Sequence, residues 1–130
     1  DYSATGISLM VFAAGGTTPV FSTTDETTNT SGTGQITISG LSPGNYDFRI
    51  KVDTYLAKKI TNKTISSTMS LDFGNLLAGD LDNNNIVNSL DFSIMMGQWR
   101  SSGIADINQD GVVNTIDFAL LNSSWFISGD

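Results

Sequence analysis

Two stretches of twelve residues constrain this chain more than anything else in it. Residues 80–91 read Asp-Leu-Asp-Asn-Asn-Asn-Ile-Val-Asn-Ser-Leu-Asp, and residues 106–117 read Asp-Ile-Asn-Gln-Asp-Gly-Val-Val-Asn-Thr-Ile-Asp. Each places an oxygen-bearing side chain at positions one, three, five, nine and twelve. A hard cation such as calcium takes six to eight oxygens at about 2.3–2.6 Å, and a loop that supplies them from alternate positions wraps the ion in one turn. Position seven contributes only its backbone carbonyl, which leaves its side chain free to be apolar: Ile86 in the first stretch, Val112 in the second.

The two copies are offset by 26 residues, and the match continues beyond the loops through Val87/Val113, Asn88/Asn114, Phe92/Phe118 and Trp99/Trp125. A repeat of this length defines an architecture. Phe92, Met95, Met96 and Trp99 follow the first loop at helical spacing, as do Phe118, Leu121 and Trp125 after the second, so each loop is expected to run into a helix whose aromatic stripe is core. Only six residues separate Trp99 from the second loop, too few for another helix. Each unit is therefore loop-then-helix, without the entering helix of an ordinary EF-hand.

Composition narrows the chemistry. Cysteine and histidine are both absent, which removes disulfides, thiolate ligands, the usual general base and most transition-metal sites. Of thirteen acidic residues, six (Asp80, Asp82, Asp91, Asp106, Asp110, Asp117) lie in the two loops, so two bound calcium ions would take the net charge from −7 to −3. The remaining acids are scattered, and no acid–base pair suggests an enzyme. Nothing resembles a basic groove for nucleic acid, and no apolar run reaches the roughly 18 residues of a membrane span. The chain opens at Asp1 with no basic-then-apolar leader, so any export signal is expected to have been removed or to lie outside this sequence.

Residues 1–75 read as all-β. Residues 7–13 form an apolar run, residues 22–34 a polar loop, and residues 35–39 a short strand. After a proline–glycine turn, Tyr46, Phe48, Ile50 and Val52 alternate with Asp47, Arg49, Lys51 and Asp53, which predicts a strand with one face buried. Residues 55–60 and 64–73 supply further strands. The expected fold is two small domains: an N-terminal β-sandwich over 1–75 and an all-α, duplicated loop-helix (F-hand) calcium module over 76–130.

The motif Gly40-Leu41-Ser42-Pro43-Gly44-Asn45-Tyr46, followed by the alternating strand and Tyr55-Leu56-Ala57, resembles the carboxypeptidase-regulatory-like or prealbumin-like β-sandwich, with fibronectin type III as the neighbouring alternative. Such domains accompany secreted modules as spacers. The loop-helix repeat over residues 79–126 resembles a dockerin, including aspartate rather than glutamate at position twelve. That resemblance implies two calcium ions and a cohesin-type partner, docking a secreted protein onto a scaffold or cell surface, commonly in polysaccharide degradation.

Carried over by position, Asp80, Asp82, Asn84 and Asp91 ligate the first ion with the Ile86 carbonyl, and Asp106, Asn108, Asp110 and Asp117 the second with that of Val112. Asn88 and Asn114 reach the ions through water. Position six should be glycine for a sharp turn, and the first loop has Asn85 where the second has Gly111. The first site is therefore expected to be the weaker.

Leu90 with Ile94, and Ile116 with Leu120, are rotated away from the aromatic stripes. With Ser89 and Thr115 they occupy what in dockerins is the partner surface; the alternative is that both helix faces are buried within the protein. Where many dockerins carry a basic pair later in the helix, this chain has Gly97-Gln98 and Ser123-Ser124. Recognition is expected to rest on apolar packing and to depend little on salt. The competing reading is a calcium-stiffened segment of an extracellular adhesin or self-associating filament.

Overall fold

The computed structural model describes residues 3–130, so Asp1 lies outside it. Its elements are β1 (Ile7–Ala13), β2 (Pro19–Glu26), β3 (Asn45–Val52), β4 (Thr54–Tyr55), β5 (Lys58–Thr64), β6 (Ala78–Asp80), α1 (Ser89–Gly97) and α2 (Thr115–Ser123). The chain divides into two compact units, one of residues 1–52 with 57–74, the other of residues 53–56 with 75–130.

In the first unit, β2, β1, β3 and β5 lie in that order in one antiparallel sheet. Ile7, Leu9 and Val11 of β1 are buried in alternation, and Val11 sits opposite Phe48 of β3 with both fully buried. Burying a side chain of that size is worth about 1.5–3 kcal/mol. Leu9 completes the buried centre, and Ile36, Ile38, Leu41, Ile65, Met69, Leu71 and Phe73 close over it.

Three segments depart from the pattern their sequence suggests. Residues 22–26, read as the start of a polar loop, belong to β2, an edge strand whose threonines suit a half-exposed pleat. Residues 35–39 and 65–73, read as strands, lie outside every strand and ladder. Their alternation encodes which side chains cover the core, and that does not require hydrogen-bonded partners. Residues 55–60 are not one strand: Tyr55 ends β4 in the second unit and Lys58 begins β5 in the first.

The second unit carries both helices and a two-stranded ribbon in which Thr54 pairs with Asp80 and Tyr55 with Ala78, so it is not purely helical. Its core is Leu56, Leu81, Val87, Met95, Ala105, Val113 and Leu121. Three of these are repeat mates or neighbours of the loops: Val87 and Val113 at position eight, and Leu81 at position two. Gly79 precedes the first loop at φ +117, and a Cβ there would lie 3.2 Å from the Leu121 Cα. Glycine thus lets the chain approach α2.

The aromatic stripes are only partly core. Each helix has nine residues and brings one apolar side chain, Met95 or Leu121, to full burial, beside the aspartate of its first turn. Trp99 and Trp125 pack against that core half-buried, whereas Met96 and Phe118 are exposed. Phe92 instead makes edge contacts with Phe118 and Trp125, at centroid distances of 5.8 and 6.4 Å.

Candidate metal centre

The two loops fold alike because their short polar side chains bond the backbone. At position twelve, Asp91 Oδ1 accepts the N–H groups of Leu81 (2.7 Å) and Asp82 (3.2 Å), while Oδ2 accepts that of Asn88 (2.7 Å). Asp117 repeats this with Ile107 (2.8 Å), Asn108 (3.1 Å) and Asn114 (2.8 Å). Both carboxylates are fully buried. Position twelve therefore ties the start of each loop to the start of its helix.

Position one bends the loop. Asp80 Oδ2 accepts the Asn85 N–H at 2.9 Å, and Asp106 Oδ2 accepts that of Gly111 at 2.8 Å. Positions three and five pair through their side chains, Asn84 Nδ2 donating to Asp82 at 2.8 Å and Asn108 Nδ2 to Asp110 at 2.8 Å. The carboxyl of Asp110 is held below the ordinary range, first by that amide and then by the Val112 N–H. Ile86 and Val112 turn their side chains to solvent.

Left-handed backbone occurs at position six in both loops, Asn85 at φ 68 and Gly111 at φ 96. It also occurs at position four, Asn83 at φ 58 and Gln109 at φ 59, which the glycine rule alone does not reveal.

The sequence reading missed a role for position nine. Asn88 and Asn114 are the N-caps of α1 and α2, their Oδ1 atoms accepting from Leu90 (2.8 Å) and Ile116 (2.7 Å). With Asp91 and Asp117 returning a bond to the cap backbone, each loop ends in a capping box. The signal was present as Asn-x-x-Asp before an apolar run. Also missed were Thr54, whose N–H donates to Asn83 Oδ1 at 2.9 Å, and residues 126–130, which pair with the first loop.

The donor set fits calcium. Asp80, Asp82 and Asp91 each bring a carboxylate oxygen within 4.8 Å of the others, two of the three residues being buried. Three like charges so close repel one another unless a cation neutralises them. All the side-chain donors in both loops are oxygens, the ligands a hard cation prefers. A bound ion would supply that neutralisation and link the two ends of each loop.

The six residues expected at the partner face separate. Ser89, Leu90, Thr115, Ile116 and Leu120 are exposed, with Leu90 at 57% and Ile116 at 54%. Ile94, by contrast, packs against the core.

Residues 78–124 match the family model for the dockerin type I domain. No curated protein matches the chain. Among solved structures, the chain is similar to two type II cohesin-X-dockerin complexes from Acetivibrio cellulolyticus, one an N-terminal and one a C-terminal interface mutant. The first has a TM-score of 0.72 at 17% identity, covering 96% of this chain and 83% of that one. The second has a TM-score of 0.71 at 18% identity with the same coverage. At this identity the likeness is one of fold, and it spans both units.

Proposed function

We propose that residues 76–130 form a dockerin-type module that binds two calcium ions and plugs into a cohesin-type partner. The β-domain over residues 1–75 then serves as its spacer. The whole anchors a secreted protein to a scaffold or cell surface and is not itself an enzyme. The observation that carries this reading is the pair of oxygen-donor loops, alike in their hydrogen bonds and lying inside the dockerin match, the first with its three carboxylates gathered. The titles of the similar structures name cohesin and dockerin together, which supports the choice of partner.

The first ion falls to Asp80, Asp82, Asn84, Asp91 and the Ile86 carbonyl, the second to Asp106, Asn108, Asp110, Asp117 and the Val112 carbonyl. Asn88 and Asn114 contribute through water while their Oδ1 atoms cap the helices. The partner meets Ser89, Leu90, Thr115, Ile116 and Leu120, while Ile94, packed against the core, supports that face from behind. No helix among the described residues is long and apolar enough to cross a membrane.

The test is capture by a panel of cohesin domains in calcium and in excess chelator. Capture in calcium that chelator abolishes is expected. Failure across the panel, with calcium-dependent self-assembly on a sizing column, would favour the filament reading instead.

A further inference from the structure

Position eight of each loop pairs with the chain that leaves the other repeat's helix. Phe126 N–H donates to the Val87 carbonyl at 2.8 Å and Val87 N–H to that of Ile127 at 3.0 Å. Likewise Arg100 N–H donates to the Val113 carbonyl at 2.9 Å and Val113 N–H to that of Ser101 at 2.8 Å. Phe126 and Arg100, 26 residues apart, share left-handed backbone at φ 59 and 64.

The symmetry then stops. On the first loop alone the strap continues, with an antiparallel bridge between Ile86 and Ser128. Gly129 N–H donates to the Asn85 carbonyl at 3.0 Å, and Asn85 Nδ2 to the Asp130 carbonyl at 3.4 Å. Among the described residues no such bond reaches Gly111.

The difference falls at position six, where one loop has a side chain and the other has none. Gly111 adopts its left-handed turn without a Cβ, whereas Asn85 does so with one. We infer that residues 128–130 are a positioning element for the first calcium site, holding the Asn85 peptide in the turn that glycine provides unaided in the second loop. This rests on the calcium reading above. The effect of the tail passes through the backbone of position six.

The test uses the whole protein and calcium itself, with the Asn85 and Gly111 amide resonances reporting the two loops separately. Gly129→Pro removes the donor to Asn85, and Gly129→Ala keeps it. Losing one or two such bonds should weaken calcium binding at the first loop roughly three- to tenfold. The second loop and the alanine variant should bind as wild type. Adding Asn85→Gly to the proline variant should restore the first loop to within about twofold, since the turn no longer needs holding.

An unchanged first loop in the proline variant would overturn the inference. So would equal weakening of both loops, which signals general destabilisation, or an alanine variant as weak as the proline one. If neither wild-type amide responds to calcium, the metal reading fails and takes this one with it.

Discussion

Aspartate at position twelve is one methylene shorter than glutamate, and its surroundings show what the shorter arm does. Asp91 and Asp117 each accept three backbone N–H groups, so their placement is set by the loop as much as by any ion. The same bonds make the helix start depend on position nine. Asn88→Ala should cost about 1 kcal/mol through loss of the N-cap, read as a lowered urea midpoint even in saturating calcium. The ring of donors was legible in the sequence because all its members fall within twelve residues. Asp47 was not: it reads as an outward residue of an alternating strand, yet it is buried, accepting from Asn62 (2.8 Å) and Gly15 (3.1 Å). Its partners are 15 and 32 residues away, beyond any local pattern. The Asn62 N–H above all, then Gly15 and the charge of Lys59, hold its carboxyl below the ordinary range against the opposing effect of burial. A carboxyl depressed in the folded state stabilises above its unfolded pKa of about 4 and loses that contribution as pH falls through the lower folded value. Asp47→Asn should therefore destabilise the first unit at neutral pH, with the gap from wild type closing below about pH 4. The Gly15 and Asn62 amides, followed through urea titrations at several pH values, report it.

The helices repeat in sequence but not in what they expose. On α2, Ile116 and Leu120 are four residues apart and both exposed, giving an apolar ridge. On α1 only Leu90 of the corresponding pair stands out, because Ile94 has turned into the core. If this face docks, α2 should dominate. Ile116→Ala or Leu120→Ala should weaken capture of a cohesin-type partner by about tenfold or more, as truncation of a buried anchor does. Ile94→Ala should instead appear mainly as lost stability. The faces were half legible: helical periodicity marks two apolar sets on each helix, but which set goes inside depends on contacts across the repeat. The missing basic pair also has a structural account. Gln98 and Ser124 are the C-caps of α1 and α2; Gln98 Oε1 accepts the Ala105 N–H at 3.0 Å, and Ser124 is buried. These positions finish helices and do not present charge to a partner. Capture measured between about 0.05 and 0.5 M salt should accordingly change little, since Gly97-Gln98 and Ser123-Ser124 offer no charge to be screened.

Charge is divided between the units as unevenly as structure is. The first unit holds five acids and five bases and is neutral, while the second holds eight acids against Arg100 alone. All of the net −7 therefore resides where the calcium loops are, and two ions would reduce it to −3. Without them, carboxylates gathered as closely as Asp80, Asp82 and Asp91 oppose the fold that gathers them, so metal binding contributes folding free energy to that unit. Excess chelator should lower the helical signal in circular dichroism and broaden amide resonances across residues 75–130, leaving β1, β2 and β3 as they were. The decisive residues are 53–56. By sequence they lie between β3 and β5 and read as part of the first domain, because nothing local says that Leu56 joins a core built from Leu81, Val87 and Leu121. By contact they belong with the loops: Thr54 pairs with Asp80, and its N–H meets Asn83. The Thr54 and Leu56 amides should therefore respond to chelator with residues 75–130, while Val52 and Lys58, their near neighbours in the chain, stay with the sheet. Unchanged helicity in chelator would count against metal-coupled folding. A response at Thr54 and Leu56 that follows Val52 instead would show that covalent proximity outweighs the packing of four residues.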